Sequence, residues 1–367
     1  GYFDHTAAGR LDWHRNAKPL DEEGYSTELI ATEAINIIKN KDQNRPLFLY
    51  VAFNAPHTPI EAPIELINEF TDIENEKDRV YAANVSALDT EIGRIIKAIE
   101  QEGILEETII LFFSDNGPVF DIDPIAQVIA PNLINAKGST AGLRGSKTST
   151  FEGGIRVPAV IWWKGVIEKA KSDQFFFVQD ILPTLLRASN VNVAETIKFD
   201  GKDKWLNLLK NEIVPPKNAF SGARLIADER ALFNGKWKLR WSKPQLIPVS
   251  ASYSLFDIIE DPYEKNDLSE EHPQVVVAMK KTLTSYIERD VVGDMNPAHA
   301  YLHGDDRQGG VALGSPWLDG DYELHEPPNA ISSFFITIWI VIQAFKYYLI
   351  ALTLIVFALI YIFRKLK

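Results

Sequence analysis

The sequence predicts an α/β fold built on a mostly parallel sheet flanked by helices, and three observations carry that prediction. The runs Pro46–Phe53 (PLFLYVAF), Thr108–Phe113 and Pro158–Trp163 are continuously apolar, the pattern of strands buried on both faces. Segments whose apolar residues recur at helical spacing alternate with these runs. The polar and glycine-rich motifs cluster at the carboxyl ends of the strands, where open α/β sheets collect ligands.

In chain order, Ser26 to Lys41 places Ile30, Ala34, Ile37 and Ile38 on one stripe and predicts the first helix. A polar link, KNKDQNR, feeds the strand Pro46–Phe53. From Asp78 to Glu102, Val85, Leu88, Ile92, Ile95, Ile96 and Ile99 define a long second helix, and Gly103 stands where a left-handed cap belongs. The strands Thr108–Phe113 and Pro158–Trp163 complete an α/β domain expected over residues 1–225. Ala231–Trp241 and Tyr253–Ile259 read as antiparallel strands and Glu271–Asp290 as a packing helix, so residues 226–290 predict a smaller C-terminal α+β subdomain. Residues 291–330, rich in Gly, Pro, Asp and His, predict a linker; the spacing of His299, His303 and His325 suits no metal site.

Composition narrows the function classes. The chain has 367 residues, a globular content of 46% hydrophobic and 24% charged residues, and a net charge of −12. Four of the 38 bases and none of the 50 acids follow residue 330, so the body carries −16. An acidic body argues against nucleic acid as a partner. With no cysteine there is no disulfide framework, thiolate metal site or thiol nucleophile.

Residues 331–363 contain only Gln343 and Lys346 as strongly polar residues and predict a membrane anchor over 331–367. As one helix, 33 residues would reach about 50 Å against a hydrocarbon core of about 30 Å, so the single span is expected near 347–363. Tyr347 and Tyr348 would sit in the interfacial belt, and Arg364, Lys365 and Lys367 would hold the C-terminus in the cytoplasm. The body is then expected in a periplasmic, lumenal or extracellular space. Because GYFDHTAAGRLDW has no signal-peptide pattern, a translocated body implies further sequence upstream.

Three strand ends carry candidate chemistry. Asp115 and Asn116 follow Phe113, and Gly117 lets the chain turn so that both side chains face one point; two such oxygen donors suit Ca²⁺ or Mg²⁺ rather than zinc. After PLFLYVAF, Pro56, Pro59 and Pro63 stiffen a loop that presents His57. The third, GLRGSKTSTFEGGIRVPAVIWW, combines Gly145, Gly153 and Gly154 with Arg144, Lys147 and Arg156, an anion-pocket composition in an acidic body. Taken singly, each also fits a plain turn, a solvated loop histidine or structural ion pairs.

Together these stretches resemble the sulfatases of the alkaline-phosphatase-like superfamily. The resemblance rests on PLFLYVAFNAPHTPIEAP, YAANVSALDTEIGRIIKAIEQEGILEETIILFFSDNG and GLRGSKTSTFEGGIRVPAV, and covers about residues 1–290. It implies that Asp115 and Asn116 are metal ligands, usually for Ca²⁺, that His57 contacts the sulfate or leaving-group oxygen, and that Lys147 binds the sulfate. Arg144 and Arg156 fall outside the family's catalytic set and read as structural.

The family attacks with a formylglycine made in a C/S-x-P-x-R motif, after an Asp-Asp pair that completes the metal site. Neither is in these 367 residues: Ser242-Lys243-Pro244-Gln245-Leu246 has Leu where Arg is required, and Asp305-Asp306 lies in a polar loop. Pro118 also departs from the family pattern, and the apolar segment Val119–Thr140 reads as a contact surface or lid. Two expectations follow. The chain is the C-terminal portion of a membrane-anchored sulfuric ester hydrolase, not catalytic alone, with its start lost, split off as a separate N-terminal fragment or encoded elsewhere; or it is a sulfatase-derived, non-catalytic structural or interaction subunit of a membrane complex. A phosphoesterase of the same superfamily is a weaker third reading.

Overall fold

Both predicted helices form. Ser26–Lys39 buries Ala31, Ala34 and Ile38. Glu76–Gln101 starts on Asn75, whose side-chain oxygen accepts from the backbone N–H of Lys77 at 3.0 Å and Asp78 at 3.2 Å. It ends at Gly103, where φ of +72° closes the last turn and Ile104 N–H reaches Ile99 O at 3.2 Å. Ile38, Ile99 and Leu105 form one buried cluster, and Leu49, Ile110 and Trp162 pack on it, tying both helices to the strands. Each fully buried Ile or Leu contributes about 1.5–3 kcal/mol.

This computed structural model describes residues 1–7, 10–16, 18–119, 138–194, 196–224, 227–244 and 250–288. The expected linker 291–330, the anchor 331–367 and most of Val119–Thr140 lie outside the described residues. Among the described residues no helix is long and apolar enough to cross a membrane. Residues 1–5, 23–121 and 135–290 belong to one compact unit, which contains every candidate site residue. Within 6–22, part of a second unit, Thr6–Ala7 pairs antiparallel with Arg10–Leu11 and His14–Arg15 with Lys18–Pro19.

The sheet corrects two expectations. Ile110–Phe113 pairs with Ala159–Trp162 antiparallel, not parallel, in a register that sets Phe113 opposite Ala159 and Ile110 opposite Trp162. An apolar run carries no information on strand direction, and these two strands are not buried on both faces, with Phe112 41% and Val160 58% exposed. Direction is set by the connection: Gly117 N–H donates to Gly154 O at 2.8 Å, so the chain has returned to the carboxyl end of the first strand just before the second begins. The second strand must therefore run back.

Pro46–Phe53 forms no ladder with another strand among the described residues. Leu49 faces the helix cluster, whereas Phe48 is 80% and Tyr50 72% exposed. The apolar pattern marks a segment fit for a sheet, and a ladder also needs a neighbour.

Residues 217–288 build the smaller α+β part. A four-stranded antiparallel sheet runs in the order Ser252–Asp257, Trp237–Pro244, Ala227–Asn234, Lys217–Arg224. The predicted strand Ala231–Trp241 contains a hairpin turn at Gly235, with φ of +63°, and Lys217–Arg224 is an additional strand. Helix Pro273–Ile287 covers one face through Met279 and Leu283 on Leu232, Leu239 and Leu255. The opposite face receives Phe151, Ile155, Phe175 and Phe177 on Ala231, Phe233, Phe256 and Ile258. That second contact carries the sheet to the Lys147 loop.

Candidate active site

The Asp115–Gly117 turn is built from its own polar groups. Ser114 Oγ donates to Asn116 O at 2.9 Å, Asn116 N–H to Asp115 Oδ1 at 2.9 Å, and Asn116 Nδ2 to Gly117 O at 3.0 Å. The last bond uses the amide's NH₂ locally, and Oδ1 is the side chain's acceptor. Gly117 is required: a Cβ there would lie 1.9 Å from Gly153 O.

His57 is held from below. Its N–H donates to Asn54 O at 2.8 Å, and the buried Tyr2 hydroxyl sits 2.9 Å from both Asn54 O and His57 O. Tyr2 stacks on Tyr25, whose hydroxyl donates to Glu61 O at 3.0 Å; Asn84 Nδ2 reaches the same carbonyl at 2.6 Å. Burial pushes the Tyr2 phenol well above its ordinary value, so it stays a neutral donor.

The loop that follows Thr140 carries Lys147. Lys147 N–H donates to Pro118 O at 2.9 Å, which locks the loop to the Asp115–Gly117 turn. Gly145 has φ of +79° and Thr148 of +75°. For a β-branched residue this is a sparsely populated conformation, and here it flanks Lys147 directly.

Lys147 Nζ lies 2.8 Å from His57 Nε2, joining residues 90 apart in sequence. The other ring nitrogen, Nδ1, is 2.8 Å from Thr58 O, and a carbonyl can only accept, so Nδ1 carries the proton. Nε2 then accepts from the ammonium. The fold thus brings all four residues singled out in the sequence, His57, Asp115, Asn116 and Lys147, onto two loops and one turn joined by direct hydrogen bonds.

For a hard cation, Asp115 and Asn116 supply two oxygen donors of the right kind. Calcium takes about six to eight oxygens, and among the described residues no three His, Cys, Asp or Glu come together as a metal cluster. The pair fits a cation in kind and falls short in number.

A sulfatase family model matches residues 1–191 of the 367. The chain belongs to the sulfatase family. Among curated sulfatases it is 31% identical over 209 residues to the uncharacterized sulfatase YdeN of Escherichia coli, covering 56% of this chain and 35% of that one. It is 29% identical over 310 residues to arylsulfatase J of Mus musculus, covering 71% and 48%. The crystal structure of Ps i-CgsB superposes with a TM-score of 0.61 at 26% identity, across 80% of this chain and 62% of that one. The putative sulfatase yidJ from Bacteroides fragilis, at 21% identity and a TM-score of 0.53, shares the fold. These likenesses give the alkaline-phosphatase-like α/β fold. The chain spans between a third and a half of the length of these two curated sulfatases.

Sequence reasoning missed most of the residues behind this candidate site. Lys238 and Arg240 alternate with Trp237, Leu239 and Trp241 and look like the solvated face of a strand, yet both are buried against the Lys147 loop. Arg144, read as structural, donates to Glu264 O at 2.8 Å and lies 4.1 Å over the Phe151 ring. Tyr2 sits in a stretch with no periodicity to mark it.

Proposed function

We propose that this chain is the C-terminal portion of a membrane-anchored sulfuric ester hydrolase, in which Lys147 and His57 bind the sulfate group of a sulfated sugar. The observation that carries the reading is the 2.8 Å approach of Lys147 Nζ to His57 Nε2, which joins two loops. Cleaving a sulfate ester builds charge on the sulfuryl and bridging oxygens, so the ammonium shares the first load and the imidazole faces the leaving-group oxygen. Asp115 and Asn116 would contribute two ligands to a Ca²⁺ or Mg²⁺ site, whose ion would neutralise the sulfuryl oxygens when bound. The formylglycine nucleophile and the acidic pair, absent from these 367 residues, would come from another polypeptide segment. Residues 331–363 would hold the assembly at the membrane, with the body on the non-cytoplasmic side.

The sugar assignment draws on relatives: one is named N-acetylgalactosamine-6-sulfatase, from Mus musculus, at 30% identity over 228 residues, and Ps i-CgsB is also known in complex with k-i-k-neocarrahexaose. The purified chain is expected to bind sulfate and to leave aryl sulfates intact. Aryl-sulfate hydrolysis that disappears in Lys147→Ala would overturn the non-catalytic part of the reading. A second reading, a non-catalytic subunit of a membrane complex, is favoured by Gln343 and Lys346 within the apolar segment, since both call for polar partners there. It predicts no sulfate binding and co-purification with other membrane subunits.

A further inference from the structure

Lys238 is fully buried, and its Nζ lies 2.8 Å from Glu152 Oε1 and 2.8 Å from Glu264 Oε1. Glu264 is also fully buried, and its Oε2 accepts the Glu152 N–H at 2.6 Å. A neighbouring set repeats the pattern: Glu229 Oε2 accepts the Thr150 N–H at 2.8 Å and Thr150 Oγ1 at 3.1 Å, while Arg240 pairs with Glu229 and donates to Thr150 Oγ1 at 3.1 Å. The Arg240 guanidinium rests 3.7 Å from the Phe151 ring centre. Residues 150, 151 and 152 of the loop are thus gripped by charged side chains from the antiparallel sheet.

This arrangement is a poor way to gain stability. Two buried carboxylates share one ammonium, Glu152 being met otherwise only by the half-exposed Arg156 at 3.8 Å, and burial pushes the Glu264 carboxyl up despite Lys238. Well-packed apolar residues in such a place would serve folding as well or better. What charged groups supply is fixed geometry, and the geometry leads to the site. Glu152 opens the single helical turn Glu152–Ile155. Gly153 N–H returns to Arg144 O at 2.7 Å, bracketing Lys147, and Gly154 O takes the Gly117 N–H at 2.8 Å.

We infer that Glu152, Lys238 and Glu264 are positioning residues for the oxyanion site: the buried cluster fixes the Lys147 loop and, through Gly153 and Gly154, the Asp115–Gly117 turn. The inference deepens the reading of Lys147 and His57 as a sulfate site, but its first test needs no ligand. Native-state hydrogen exchange on the full chain follows the Gly117 and Lys147 amides against the ladder amides of Leu232 and Leu239. In Lys238→Met, the site amides are expected to exchange at least about ten-fold faster while the ladder amides stay within about three-fold. Affinity for inorganic sulfate should fall about ten-fold in parallel. If Lys238→Met does not fold, Glu264→Gln decides, since it keeps an acceptor for Glu152 N–H and removes one of the charges on Lys238. Unchanged site amides, or site and ladder amides accelerated alike, would overturn the inference. Should the wild-type chain bind no sulfate while the site amides still respond selectively, the positioning stands and the sulfate reading falls.

Discussion

Replacing Gly117 by alanine would place a methyl group where another backbone already lies. The new Cβ would sit 1.9 Å from Gly153 O, 2.9 Å from Gly153 C and 3.1 Å from Gly154 Cα. Ordinary contact needs about 3.5 Å, so the turn and the loop would have to part by roughly 1.5 Å. That movement breaks the 2.8 Å bond from Gly117 N–H to Gly154 O, worth about 1 kcal/mol net. Overpacking between rigid segments adds about 1–3 kcal/mol. The total, about 2–4 kcal/mol, corresponds to a fall in Tm of about 3–5 °C for a protein of 367 residues. Differential scanning fluorimetry reads the shift directly. Gly93→Ala is the internal control, because its Cβ meets nothing within 4 Å and it lies inside the helix Glu76–Gln101. There the substitution should stabilise by about 0.5–1 kcal/mol. A Gly117→Ala protein melting within about 2 °C of wild type would refute the claim that the turn and the loop are locked together.

Three further outcomes follow from the same geometry. Tyr2→Phe removes the hydroxyl shared by Asn54 O and His57 O, and should cost about 1–3 kcal/mol in a denaturant titration while loosening the His57 loop in hydrogen exchange. Asp257 is pushed up by burial, but Lys236 and the N–H groups of Glu260 and Ile259 outweigh that and hold its carboxyl below the usual range. Its contribution is therefore present above the ordinary carboxylate range and lost as pH falls through the lowered value; Asp257→Asn should flatten the acid limb of the Tm–pH curve. Lys238→Met, besides its effect on exchange, should leave the fully buried Glu264 carboxyl without its cation; burial already pushes that carboxyl up, so the variant's Tm should recover as the pH is lowered and Glu264 takes up a proton.

Much of this was legible in the sequence. The helices could be read because Ile30, Ala34 and Ile38, and later Leu88, Ile92, Ile95 and Ile99, keep one spacing over several turns. The four candidate site residues were legible because each follows an apolar run or sits among glycines, where chain geometry gathers polar groups. Strand direction was not, since a run such as ILFF has the same composition whichever way its neighbour points. Pro46–Phe53 differs for a related reason: apolar content marks what a segment could pair with, and among the described residues no strand pairs with it. The supporting charges were hidden by alternation itself. In WKLRW, a lysine and an arginine every second residue describe a solvated strand face unless something covers it, and the Lys147 loop does.

The central claim is that the loop of Lys147 and the loop of His57 form one oxyanion site. Titration of the purified chain with inorganic sulfate, followed calorimetrically and by the His57 imidazole resonances, tests it most directly. The geometry predicts saturable binding that shifts those resonances and weakens about 10–100-fold in Lys147→Ala, the loss expected for one charge-assisted hydrogen bond. Absence of binding in the wild type, or equal affinity in Lys147→Ala, would contradict it.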